Sequence, residues 1–187
     1  MSRISQSADL RNQIPSTNLI ASVLPVTTVV LTSATSSVNL TNLPAGGSFQ
    51  VNVNTRSTAG DSKVFVFMRL NDNTGTIYDQ ISLQASNNET DVSPSYNQDS
   101  FSLNYFPAGG SVEGHSGNVN ISIPNCKNTT WYKNITAIGN HVTTGAESRV
   151  GMTQGVFRST NAISSIQFFL AEGNFATGSY FAVSPAP

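Results

Sequence analysis

Apolar and polar residues alternate with a period of two over much of the chain. In Phe49-Gln50-Val51-Asn52-Val53-Asn54 the apolar side chains fall on one face and the amides on the other, the pattern of a half-buried β-strand. Asn118 to Ile123 repeats it, with Val119, Ile121 and Ile123 on the apolar face. Val64–Leu70 differs, because Phe65 and Phe67 oppose Val64, Val66 and Met68, so both faces are apolar. That predicts a central strand covered on both sides. Further strands are expected at Val26–Leu31, Val38–Leu40, Ile77–Leu83, Phe101–Phe106, Trp131–Ile138, Val150–Arg158, Ile163–Leu170 and Tyr180–Val183. No stretch keeps a helical period. About ten short strands separated by turn signals define an all-β sandwich or barrel.

Turn chemistry punctuates the strands. Asn71-Asp72-Asn73-Thr74-Gly75 suits a tight turn, in which Asn and Asp bond their own backbone and Gly accepts positive φ. It predicts a β-hairpin over Val64–Leu83. Ala85–Asp99 is polar and contains Pro94, and is expected to be a long, partner-contacting loop, with a second loop at Gly109–Gly117. Pro185-Ala186-Pro187 is expected to stop the last strand. Residues 1–19 lack strong periodicity and read as an N-terminal arm, leaving 20–187 as one β-sandwich domain with a short C-terminal tail. A short amphipathic turn around Ala8–Gln13 is too brief to be stable alone, so the arm is expected to order against a partner. Its candidate contact residues are Arg3, Asp9, Leu10, Arg11 and Ile14.

Composition sharpens the picture. Charged residues make up 10% of the 187 residues, against about 25% in ordinary domains. Surface polarity must come from Ser, Thr, Asn and Gln, and the formal net charge of −1 gives little barrier to association. The nine basic residues are scattered, with no stripe of cations to neutralise phosphates, so the reading is no nucleic acid. The first residues show no apolar signal region, and Leu19–Leu31 is too short and too polar to span a bilayer, so the reading is no membrane and synthesis in a host cytoplasm. The single Cys126 can form no internal disulfide and reads as a small, semi-buried hydrophobe.

Candidate chemistry is thin. His115 and His141 lack the surrounding signature of a nucleophile triad, and the acids show no pairing legible in sequence. Asp72 and Asp79 with Asn71 and Asn73 offer oxygen ligands for Ca²⁺, but turn stabilisation is the simpler role. One Cys and two His give no zinc set. The reading is therefore no enzyme, no cofactor and no metal. Trp131, Tyr132, Tyr96, Tyr105 and Tyr180 suit core and subunit-interface packing, with a sugar-stacking face as the alternative.

Four motifs in order carry a family resemblance. They are the turn Leu40-Thr41-Asn42-Leu43-Pro44, the segment Arg69-Leu70-Asn71-Asp72-Asn73-Thr74-Gly75-Thr76-Ile77-Tyr78-Asp79, the strand end Ile121-Ser122-Ile123-Pro124-Asn125, and the run from Ile163 through Gly173-Asn174-Phe175-Ala176-Thr177-Gly178 to Phe181. Over residues 20–183 the chain resembles a family of bacteriophage virion structural proteins. The resemblance implies a jelly-roll-like antiparallel β-sandwich that acts as a capsid decoration (cement) protein on the outer surface of the shell. Its implied partners are the major capsid protein and further copies of itself in a homotrimer. The alternative is a tail fibre or baseplate-associated module that binds a host surface carbohydrate through the two long loops.

Overall fold

The computed structural model describes residues 26–59, 64–86, 89–104, 116–142 and 148–186. Among these the chain forms twelve strands and no helix. They are β1 (Thr27–Val30), β2 (Ser37–Leu40), β3 (Ser48–Thr55), β4 (Val66–Leu70), β5 (Tyr78–Ser86), β6 (Glu89–Gln98), β7 (Phe101–Ser102), β8 (Gly117–Ile123), β9 (Lys133–Val142), β10 (Ser148–Phe157), β11 (Ile166–Leu170) and β12 (Tyr180–Ala186). The N-terminal arm and its candidates Arg3, Asp9, Leu10, Arg11 and Ile14 lie outside the described residues.

Two antiparallel sheets pack face to face. The large sheet has the order β1-β12-β3-β8-β9-β10-β5-β6, and the small sheet β2-β11-β4-β7. If the hairpins β5–β6 and β9–β10 are set aside, four strands face four, with the first strand beside the last. That is the eight-strand double Greek key of a jelly roll. The two hairpins are insertions. They join each other through a nine-residue β10–β5 ladder and extend the large sheet by a four-stranded wing.

The core follows from the alternation. Phe49, Val51 and Val53 of β3, Val119, Ile121 and Ile123 of β8, and Val66, Met68 and Leu70 of β4 are all fully buried between the sheets. Phe168 of β11 meets Phe181 of β12 at 5.4 Å between ring centroids, and Phe175, on the connection between those strands, meets Phe181 edge-on at 5.1 Å. These contacts bury apolar area on both sheets at once and hold them together.

Several expectations give way here. Val64–Leu83 is not a hairpin, because β4 lies in the small sheet and β5 in the large one. The turn between them carries the chain across the sandwich. Asn71 and Asp72, not Gly75, adopt positive φ (56° and 51°), and Asn71 Oδ1 accepts the backbone N–H of Ser164 at 2.7 Å. Asn73 does bond its own backbone locally, accepting Gly75 N–H at 2.8 Å. The described residues of Ala85–Asp99 are not a loop but the end of β5 and the whole of β6. Pro94 is tolerated there because β6 is an edge strand. Among the described residues of Phe101–Phe106, strand is confined to the two residues of β7. Pro185 continues β12 opposite Phe49. The described β1 ladder ends at Val183, so a missing donor at Pro185 breaks no bond to it.

Tyr78 pins the crossing between the sheets. Its hydroxyl, fully buried, accepts Leu70 N–H at 2.9 Å. Burial pushes its pKa from 10.0 up to about 12, although hydrogen bonding to Leu70 and the nearby Arg69 act in the opposite direction. Tyr78→Phe leaves the Leu70 N–H without its partner and should destabilise by about 1–3 kcal/mol. The raised folded value means that the tyrosine contributes fully below pH 10 and that its contribution is lost as pH climbs toward 12. The gap between the wild type and the variant should therefore narrow across that window in denaturant titrations at stepped pH.

Candidate functional site

The wing reverses the usual inside-out pattern. On the half of β5 nearest the core, Tyr78 points inward and packs on Phe157 of β10 at 4.9 Å. Beyond it the inward positions of β5 turn polar, running Gln80, Ser82, Gln84 and Ser86. Their cross-strand partners on β6 are Ser95, Ser93, Asp91 and Glu89. The outward positions are apolar instead. Ile81 faces Pro94 and Leu83 faces Val92. A row in register continues from Leu83 to Met152 of β10 and Ile138 of β9. Val92, Ile138 and Val150 are each more than half exposed.

The apolar band stops at the jelly roll. Ile138 is paired with Asn120 of β8, which pairs with Asn52 of β3. There an amide ladder replaces it. Asn52 Nδ2 donates to Asn120 Oδ1 at 2.8 Å, and Asn120 Nδ2 donates to Asn118 Oδ1 at 3.1 Å. The outer sheet face thus has an uncharged polar half over the jelly roll and a half over the wing crossed by the apolar row, with Asn134, Asn140 and Gln154 exposed beside it. Exposed apolar side chains are normal singly, whereas a contiguous set in register marks a contact surface.

The inner side of the wing opens onto a groove of about 720 Å³. One wall is the polar face of β5 and β6. The other is the outward face of the small sheet, where Phe65 and Phe67 of the β4 segment lie beside Phe169 of β11. The expectation that this strand is covered on both sides is corrected accordingly: Val66, Met68 and Leu70 are buried, but Phe65 and Phe67 are only half-buried and line the groove. Arg69 lies over the Phe169 ring at 4.4 Å and pairs with Asp99 at 2.7 Å.

The groove floor is a buried polar network. Gln80 Oε1 accepts Ser102 N–H at 2.7 Å. Asn104 Nδ2 donates to Thr153 Oγ1 at 2.7 Å, and Ser82 Oγ lies 3.2 Å from the same oxygen. These bonds satisfy groups that burial would otherwise penalise, and they fix the floor. Gly155 lets β5 and Phe101 approach this region closely, since a Cβ there would come within 2.2 Å of Asp79 O. The base of the hairpin is clamped by Arg158, which pairs with Asp79 at 3.1 Å and donates to Asn97 Oδ1 at 2.6 Å.

The other sequence candidates disperse. Asp79 serves the clamp just described, and Asp72 Oδ2 accepts the Ser165 hydroxyl at 3.4 Å. No group of three metal-ligating side chains occurs among the described residues. His141 is buried in β9, and His115 lies outside the described residues. Cys126 is fully buried rather than semi-buried, and burial pushes its thiol pKa up, against the effect of Lys127. Lys133, also fully buried, donates to the carbonyls of Trp131, Thr160 and Ser159 at 2.8, 3.2 and 3.4 Å. Burial pulls its pKa below the ordinary lysine value. Core packing is overturned for Trp131, Tyr132 and Tyr96, each more than half exposed, and Tyr180 is exposed at the rim. Tyr105 lies outside the described residues.

Both surfaces of the wing escaped the sequence reading. The signal was present, since Asp91, Ser93 and Ser95 alternate with Val92, Pro94 and Tyr96. No helix among the described residues is long and apolar enough to cross a membrane. Compared with protein families, curated proteins and solved structures, the chain matches none.

Proposed function

We propose that this chain is a non-enzymatic virion protein that decorates the outside of a bacteriophage capsid and cements its subunits. The outer face of the wing is the docking surface for the major capsid protein, and copies of the chain act together as a homotrimer. The observation that carries this reading is the row Val92–Leu83–Met152–Ile138, in register across four strands and turned to solvent. Such a face buries apolar area only when a second protein covers it. The low charge of the chain supports the same reading, because close contact then meets little repulsion. Binding to the assembled shell but not to unfolded capsid protein stabilises the particle by mass action.

Co-sedimentation with undecorated shells, assembled from the major capsid protein of the same genome, tests the proposal. Wild-type protein should pellet saturably. Leu83→Asp/Ile138→Asp should weaken shell binding at least about 30-fold, since each change buries a charge at the centre of the contact. Both positions are solvent-exposed in the free protein, so its melting temperature should move little. Equal pelleting of variant and wild type, or no pelleting of either, refutes the reading.

A further inference from the structure

We infer that the groove between the wing and the small sheet is a carbohydrate-binding site, taking a short oligosaccharide that packs against the apolar wall of Phe65, Phe67 and Phe169 and hydrogen-bonds across to β5 and β6. The aromatic wall has a consistent orientation. Phe65 and Phe67 are inclined by 20° at 6.1 Å between centroids, and Phe67 and Phe169 by 26° at 5.4 Å. Rings stacked on one another at these spacings form one continuous apolar wall along the groove. A pyranose presents a face of C–H groups and an edge of hydroxyls, and so suits an apolar wall opposite a set of small donors and acceptors. The opposite wall supplies that set in Ser93, Gln84 and Asp91. The volume lies within the roughly 300–1,000 Å³ of ordinary ligand pockets.

Two features favour a sugar over a peptide strand. A peptide would add to the free edge of β7, but the outward N–H of Ser102 is already taken by Gln80. The polar wall consists of inward-pointing positions in a sandwich, where apolar residues are the rule. Its floor is bonded internally through Gln80, Ser82, Asn104 and Thr153, so the aromatic wall and the polar wall keep their spacing without a ligand. Preorganisation of this kind reduces the ordering cost of binding.

The site is on the opposite side of the wing from the proposed shell-docking face and does not depend on that reading. A printed array of defined bacterial and animal oligosaccharides, followed by calorimetric titration of the strongest hit, tests it. We expect saturable binding of at least one glycan. Phe67→Ala should weaken it about tenfold. Gln84→Ala/Asp91→Ala removes the facing polar pair, touches no buried side chain, and should also weaken binding about tenfold. Leu83→Asp/Ile138→Asp should leave the glycan affinity unchanged, and Phe67→Ala should leave shell binding unchanged. An array without saturable signal overturns the inference. So does full affinity in Gln84→Ala/Asp91→Ala, or displacement of the bound glycan by a synthetic peptide of residues 1–25.

Discussion

Gly155→Ala should destabilise the protein by more than about 3 kcal/mol, the cost of forcing a methyl group into a site with no room. A Cβ at this position would lie 2.2 Å from Asp79 O, 2.8 Å from a Phe101 ring carbon and 2.9 Å from Gln80 Cα. Two of those atoms are backbone in the neighbouring strand and cannot swing aside. Relief requires β5 to move off β10, which strains the Asp79–Arg158 clamp and withdraws Gln80 from Ser102. The melting temperature should fall by about 10 °C, and any glycan affinity of the groove should fall with it, because the floor is displaced. Gly47→Ala is the matched control, since nothing lies within 4 Å of a Cβ there. Thermal denaturation of the two variants side by side decides the matter. A Gly155→Ala protein that melts with the Gly47→Ala control would show that the two strands are not held at this spacing.

Phe181→Ala should remove about 3–5 kcal/mol, a loss typical of a buried aromatic truncated in a tight core. Phe181 belongs to the large sheet, and its ring touches Phe168 of the small sheet and Phe175 of the connection between them. All three rings are fully buried, so the cavity has no access to solvent and can shrink only if the sheets approach. Phe175 is itself tied down by Thr35, with backbone bonds of 2.8 and 3.1 Å in the two directions, and cannot fall into the gap. Phe181→Leu keeps most of the volume and should retain most of the stability. Guanidinium titrations of the pair would expose an error in this account if the alanine variant lost less than the leucine variant.

Most of the jelly roll was legible in the chain because its strands bury one face and wet the other. Phe49–Asn54 and Asn118–Ile123 announce themselves by strict alternation, and both sit where the pattern places them. The pattern fixes which face is buried but not which sheet a strand joins, and that is why the β4–β5 connection read as a hairpin. Asn71 and Tyr78 decide the question through bonds to Ser164 and Leu70, contacts that no local rule foresees. The wing was harder. Alternation was present in β6, but Pro94 and a scarcity of large apolar residues made it look like a loop. Its inverted polarity makes sense only once the small sheet is seen to end at β7, leaving the inward positions of β5 and β6 uncovered by core. The aromatic wall of the groove was hidden for the same reason, since Phe65 and Phe67 read as a second buried face.

The outermost strand of the wing carries a further consequence. Its β6 is ten residues long and has no neighbour on one side among the described residues, the arrangement most prone to template endless polymer growth. Pro94 withholds a donor from that margin, and Glu89 and Asp91 set like charges against any identical margin brought alongside. Strand-to-strand zippering between molecules is thereby discouraged, while the flat flank beside it stays free to adhere. A protein built this way can coat a surface at high local density as separate tiles and still not knit into fibrils.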